Sequence, residues 1–505
     1  MKTVFTFLTI ILSACISPSM AGTSFYFDHF DIENGLSQNT VTCIFQDSKG
    51  FMWFGTKNGL NRFDGYTFKI YSRNHRTDGL GNSIIYCITE DRTTGNLWIG
   101  TDKGAYIFDP RTEKFEFFDR KTPENRPMEL TLNKIIVYQD EVWMLTGLGI
   151  YVYNKTTGKF VSLASELSEF SASSPSDIYI DDKKIWIAIP SFGILAYENK
   201  KYTPFYTDRR TRIIRLSTYR NLLLAGTPSD GLFLIDKATK SVQHTPLKQP
   251  WGREKESTLI HVITAIDNTV WIGTEDGIYI YSPQGMTHLS HHPGDPYSLS
   301  NNAVYSICQD SDKGIWVGSY FGGIDYIPKH DITFEKYYPS SDPHSISGSR
   351  VREMCEDKSG NLWIATEDNG LNYYHTQTKR FTRYSTNTET IRLSYTNIQC
   401  LNLTGDKLWI GYYHKGIDVL DLNTRKIEHF EQATTPSLDN NDIFTIYTDL
   451  SGQTWIGTST GVLKYNARKN DFTKCPEIGT FYISDIHQDP EGYIWFATYN
   501  IGAIR

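Results

Sequence analysis

Apolar and polar positions follow one another in short bursts along the 505 residues, and the bursts recur in a fixed order. Thr40 to Asp47 places apolar side chains at Val41, Ile44 and Phe45 and reads as a strand. Asp47-Ser48-Lys49-Gly50 is a turn, because Asp bonds its own backbone and Gly accepts positive φ. Phe51 to Thr56 is an almost unbroken apolar run, the pattern of a strand buried on both faces. Asn58-Gly59 is a two-residue hairpin signal. Leu60 to Asp64 and Tyr66 to Tyr71 supply a third and a fourth strand. The centre of the second strand, Trp53-Phe54-Gly55-Thr56, returns as Trp98-Ile99-Gly100-Thr101, Trp271-Ile272-Gly273-Thr274 and Trp455-Ile456-Gly457-Thr458. Looser copies lie at Trp143, Trp186, Trp316, Trp363, Trp409 and Trp495, and Leu224-Ala225-Gly226-Thr227 is a copy without the Trp. Successive anchors are 38 to 47 residues apart.

A four-strand unit with that period is the signature of a β-propeller, one blade per repeat. The fold class expected is therefore all-β. Residues 23–330 should form one seven-bladed ring, and residues 331–505 should form blades eight to eleven of an incomplete second ring. Phe25-Tyr26-Phe27 and Phe30 match the outer-strand pattern of Phe68-Lys69-Ile70-Tyr71, so this N-terminal strand is expected to complete a blade at the closure point. The last repeat stops at Gly502-Ala503-Ile504-Arg505, within its third strand. An open ring leaves an unpaired strand edge, so a continuation of about three blades is expected. Between blades recurs a connector, as Gly35-Leu36-Ser37-Gln38-Asn39, Ser298-Leu299-Ser300-Asn301-Asn302 and Ser437-Leu438-Asp439-Asn440-Asn441. Packing accounts for the repeat Trp residues, which offer large apolar area and one N–H to satisfy.

Net charge is −7 with both signs interspersed, and the chain lacks the basic face of a nucleic-acid binder. No apolar run of 18 residues occurs, so no membrane span is expected. Residues 1–22 read as an export signal, with Lys2, the apolar stretch Val4 to Leu12 and a cleavage site at Ser19-Met20-Ala21. Leu12-Ser13-Ala14-Cys15 also reads as a lipobox in which Cys15 would be acylated. Both readings place the chain outside the cytoplasm. Cys43, Cys87, Cys308 and Cys355 share one face of equivalent strands, which favours buried small hydrophobes over a disulfide framework.

No His-Glu-x-x-His motif or CxxC pair occurs, and no catalytic residue, metal or cofactor is expected. His291-His292 lies in a loop and falls short of a metal site. Binding candidates are clearer. In a propeller the connectors and the turns between second and third strands share one face. Tyr320, Phe321, Tyr412, Tyr413, His414 and Lys415 replace the usual small polar turn there, and Trp251 stands outside the repeat position. Exposed aromatics can stack on sugar rings, and they mark interfaces as readily as ligand sites. Arg209, Arg210 and Arg212, with Arg215 and Arg220, form a basic run suited to acidic glycans or simply to solvent.

The units Gln46 to Thr56 and Asn58 to Gly65, with Gly35 to Asn39, resemble the two-component regulator propeller repeat. The resemblance covers roughly residues 25–505. It implies the periplasmic sensor of a hybrid two-component system of Bacteroidetes, in which two seven-bladed propellers precede a β-sandwich, a membrane helix and a cytoplasmic histidine kinase. It also implies a glycan signal and control of polysaccharide-utilisation genes; a homodimer is a separate expectation for the assembly. The sandwich, the span and the kinase motifs are not in this sequence, so signalling is attributed to a longer parent protein. Membrane attachment would come through that missing region or through Cys15. A propeller lyase or hydrolase and a protein-interaction scaffold are the alternative readings, because fold alone does not choose among them.

Overall fold

The structure, a computed structural model, describes residues 25–73, 79–123, 125, 127–181, 184–247, 259–329 and 335–505. The expected export segment with Cys15, and Trp251, lie outside the described residues. The described chain forms ten four-stranded sheets and one three-stranded sheet, every strand pairing antiparallel. Among the described residues helix is confined to the five residues Ala164–Ser168 and two 3-10 turns. Among the described residues no helix is long and apolar enough to cross a membrane. The chain divides into two compact units, one of Met1–His292 with Pro296–Asp331 and one of Pro293–Asp295 with Ile332–Arg505.

The first sheet shows how the repeat builds itself. Its strands are Val41–Gln46, Met52–Thr56, Gly59–Phe63 and Phe68–Tyr71. All five residues of the second strand are buried, as its apolar run requires. Trp53 donates its indole N–H to Asp47 Oδ2 at 2.8 Å, and Asp47 Oδ1 accepts the N–H groups of Lys49 and Phe51 at 2.9 and 3.0 Å. One carboxylate thus closes the turn and satisfies the buried indole. The same bond joins Asp310 to Trp316, Asp449 to Trp455 and Asp489 to Trp495 at 2.7–2.8 Å. Two positions after the Trp, a Cβ on Gly55 would lie 2.5 Å from Cys43 Sγ and 2.7 Å from Ile85 Cγ2. Glycine there lets the next inner strand seat against the sheet. Cys43 fills the space opposite Gly55, and burial pushes its thiol up to about 12. The six described cysteines are all free.

In the first unit the second strand packs against a neighbouring sheet on each side. Phe54 and Trp316 approach at 5.5 Å, so the first sheet meets the seventh. The N-terminal strand Asp28–Phe30 pairs with Ile324–Ile327 and forms the outer strand of that seventh sheet, as its aromatic pattern predicts. This puts His29 across from Asp325. Asp325 is wholly buried, and His29 Nδ1 lies 2.7 Å from its Oδ1. Ser300 of the connector donates its backbone N–H to the same carboxylate. In the first sheet the equivalent position is Asn61, which accepts from the Ser37 N–H at 2.9 Å and faces Ile70 instead of a His.

The hydrogen bond to Asp325 raises the pKa of His29, against the opposing effect of burial. A histidine whose folded pKa is raised adds stability that is fully present below its ordinary value of about 6.5 and is lost as pH rises through the folded pKa. The melting temperature of the first unit is therefore expected to fall as pH rises past about 6.5, and Asp325→Asn to flatten that fall. Thermal melts on either side of that pH check it. Parallel curves for the two proteins would remove the pair from any role in closure.

The second unit holds three four-stranded sheets, within Val351–Tyr384, Ile398–Phe430 and Ile443–Lys474, and the three-stranded sheet Ile483–Gln488, Ile494–Thr498 and Gly502–Ile504. The connector logic persists, with Ser347 N–H donating to Asn372 and Ser394 N–H to Asp418.

Candidate functional site

The inner strands of the first unit carry a feature that the repeat pattern hides. In five of its seven sheets the register slips by one residue near the start of the inner strand: between Val41 and Cys43, Ile85 and Cys87, Leu132 and Lys134, Ile260 and Val262, and Val304 and Ser306. A β-bulge leaves its extra residue without a cross-strand partner and re-aims the side chain. The bulged residues are Thr42, Tyr86, Asn133, His261 and Tyr305. All five line one cavity of about 700 Å³. Asp177 and Arg215 reach it from the two inner strands that keep regular pairing. The cavity therefore draws on the inner strand of every sheet in the unit. Lys57 and Tyr320, from turns between second and third strands, complete its rim.

Its walls are aromatic and its contacts polar. His261 stacks on Tyr305 with ring centroids 4.0 Å apart, and Tyr305 lies 5.2 Å from Tyr320. Lys57 donates to the Tyr320 hydroxyl and sits 4.0 Å from the centre of its ring. His261 Nε2 is 2.6 Å from Glu275 Oε1. Burial lowers the His261 pKa more than Glu275 raises it, so the imidazole is neutral at pH 7. Arg215 donates through Nε to the His261 carbonyl at 2.6 Å and through Nη1 to the Ile214 carbonyl at 2.8 Å. Asp177 is buried and fully engaged. It accepts from Lys134 Nζ at 2.8 Å, from Leu216 N–H at 2.7 Å and from Ile178 N–H at 2.9 Å. Tyr86 is exposed at the cavity, and Tyr179 stands in the same wall.

A second cavity of about 1050 Å³ shares Lys134 and Tyr179 with the first and is lined by Phe45 to Ser48, Thr89 to Thr93 and parts of two further inner strands. It draws on four sheets and is rimmed by the structural Asp turns. The first cavity has the richer convergence of aromatic and polar groups, which is the character of a ligand site.

The residues proposed from sequence are scattered. Tyr320 lines the cavity, and Phe321, 69% exposed, packs edge-on against it at 4.5 Å. Arg209, Arg210 and Arg212 are exposed in the connector after Lys201–Thr207 and do not line the cavity; Arg215, from the same basic run, does. Tyr413, His414 and Lys415 are exposed in the second unit, where His414 pairs with Asp442. Tyr412 corrects the sequence expectation. It replaces the Thr of the repeat on the strand Lys407–Tyr412, is wholly buried, and donates its hydroxyl to Asp418 at 2.7 Å. It is a core residue with no surface to offer a ligand. Tyr86, Tyr179, Tyr305, His261 and Lys134 escaped the sequence reading. The signal for Tyr86, His261 and Tyr305 was the residue after the first apolar position of the inner strand, which varies among the repeats as Thr42, Tyr86, Asn133, His261 and Tyr305. Among the described residues no group of three or more His, Cys, Asp or Glu is placed to hold a metal.

Comparison with known proteins fits this architecture. The family model described as Two component regulator propeller matches residues 35–58, 79–103, 298–321, 345–368 and 478–500. The extracellular domain assigned to a hybrid two component system, BT3049 from B. thetaiotaomicron, superposes with a TM-score of 0.65 at 25% identity, covering 94% of this chain and 70% of that one. The extracellular domain of BT4673 from the same organism shares the fold, with a TM-score of 0.51 at 21% identity over 94% of this chain and 71% of that one. Histidine kinase P4 of Formosa agariphila is 47% identical over 70 residues, which is 14% of this chain and 5% of that protein's length.

Proposed function

We propose, for a chain that carries two component regulator propeller repeats, that it is an extracytoplasmic sensor module which binds an oligosaccharide in the central cavity of its first unit. The observation that carries this reading is the set of bulged inner-strand residues converging on one cavity. Tyr86, Tyr179, Tyr305 and Tyr320 offer ring faces for sugar rings, and Thr42, Asn133 and His261 offer hydrogen bonds for hydroxyls. The resemblance to an extracellular domain supports a location outside the cytoplasm, which we take to be the periplasm, with residues 1–22 as the export signal. In this reading residues 23–330 are a seven-bladed ring and residues 331–505 part of a second one. The chain itself performs no catalysis, and a histidine kinase partner region carries the signal onward to polysaccharide-utilisation genes. Binding would act by favouring one of two arrangements of the receptor, which requires unequal affinity for them.

Calorimetric titration of the chain with a panel of acidic and neutral oligosaccharides tests the proposal. A saccharide is expected to bind, and Tyr305→Ala and Tyr86→Ala are each expected to weaken it at least tenfold, about 1.4 kcal/mol, without lowering the melting temperature. Unchanged affinity in both variants would remove the cavity from the role. Cleavage of the bound saccharide by the chain would replace the sensor reading with an enzyme.

A further inference from the structure

The charge in the central cavity is one-sided. Lys57, Lys134 and Arg215 line it, and Asp177 is the one carboxylate among its lining residues. Asp177 is spent on Lys134 and two backbone N–H groups. Glu275, at the edge, is held by His261 and Tyr305. Among the described residues no carboxylate lies within ion-pair distance of Lys57 or Arg215. Among the described residues Lys57 donates to the Tyr320 hydroxyl, and Arg215 to the His261 and Ile214 carbonyls. A chain with a net charge of −7 thus keeps two cations without an acidic partner where a ligand would enclose them.

That arrangement has an energetic consequence. Covering the two cations with a neutral ligand removes their water and returns no opposite charge. An anionic ligand returns it as charge-assisted hydrogen bonds. The two carbonyl bonds fix the Arg215 guanidinium, which has five N–H donors, so part of its fork is oriented in advance while donors remain for a ligand. Lys57 is held over the Tyr320 ring, one edge of an aromatic path that runs through Tyr305 to His261, whose carbonyl anchors Arg215. A sugar ring lying along this path has a cation at each end.

We infer that the ligand is an acidic saccharide, bearing carboxylate or sulfate groups, and that Lys57 and Arg215 read its charge. The inference rests on the saccharide-binding reading of the cavity and narrows it. The test titrates the full chain with oligomers of galacturonate, mannuronate and glucuronate, a sulfated oligosaccharide, neutral oligosaccharides, the methyl ester of the galacturonate oligomer, and inorganic sulfate. At least one acidic oligomer is expected to bind, and no neutral oligosaccharide to match it. For a uronate ligand, methyl esterification should weaken binding at least tenfold. Lys57→Gln and Arg215→Gln should each weaken the acidic ligand at least tenfold, while Lys57→Arg retains most of the affinity. Raising salt from about 50 mM to about 500 mM should weaken it further, since exposed charges are screened. Neutral saccharides bound as tightly as acidic ones, with Tyr305→Ala still disruptive, would overturn the inference and leave the sensor reading intact. Binding of no saccharide would overturn both. Binding of inorganic sulfate alone through Lys57 and Arg215 would assign the anion to another source and overturn the saccharide class as well.

Discussion

Trp53→Ala is expected to lower the stability of the first unit by about 3–5 kcal/mol, a fall in melting temperature on the order of 10 °C. Trp53 has no exposed surface. Its ring packs against Phe108 at 5.5 Å and Tyr71 at 6.0 Å, so truncation opens a cavity between two sheets. It also strips a donor from Asp47, which is itself buried. Trp495→Ala, at the same place in its repeat, is expected to cost only about 1 kcal/mol, because a half-exposed side chain gives up little buried area. Trp495 is 39% exposed yet makes the same bond to its turn aspartate, at 2.7 Å. The pair therefore separates burial from hydrogen bonding. Thermal melts followed by circular dichroism decide it, and equal losses would mean that the indole bond, common to both, outweighs packing between sheets.

The repeat was legible because its parts constrain one another. In the first sheet the buried second strand needs Gly55 for the close approach of Ile85 and a Trp to fill the gap between sheets, and Asp47, six residues before the Trp, satisfies its indole. Each requirement leaves a residue type at a fixed offset, so strand order could be read without coordinates. Even the closing strand Asp28–Phe30 betrayed itself through the aromatic pattern of outer strands. The site follows the opposite logic. Thr42, Tyr86, Asn133, His261 and Tyr305 occupy equivalent bulges, where the backbone is constrained and the side chain is not. Reading for recurrence discards such positions as noise, although variation at a geometrically fixed point is what a ligand-reading surface requires. Arg215 was visible only as one more charge in a basic run, since nothing in its neighbours tells that two backbone carbonyls hold it toward the cavity.

Tyr412 marks where turn-based reasoning misleads, and its replacement carries the other large expected effect. In Trp409-Ile410-Gly411-Tyr412 the tyrosine stands where other repeats place Thr, whose hydroxyl bonds the carbonyl of the glycine opening the third strand, as Thr366 does to Gly370 at 2.8 Å. Tyr412 reaches past that carbonyl to Asp418, which is wholly buried and also accepts from Ser394 N–H and Oγ and pairs with His429 at 2.7 Å. Burial and the adjacent carboxylate drive the phenol pKa well above its ordinary value, so it remains a donor at any physiological pH. Tyr412→Ala removes a core ring and a donor to a buried carboxylate, and is expected to cost the second unit about 3–5 kcal/mol. Tyr412→Phe keeps the ring and should cost about 1–2 kcal/mol. Tyr413→Ala, one residue on and 39% exposed, should stay within about 0.5 kcal/mol. Melts of the three variants give the ranking directly. A Tyr412→Ala protein as stable as the parent would contradict the burial and return Tyr412 to the candidate ligand residues. With the expected ranking, lost affinity in a protein changed at both tyrosines would report a damaged sheet, and only the Tyr413 variant would speak to binding.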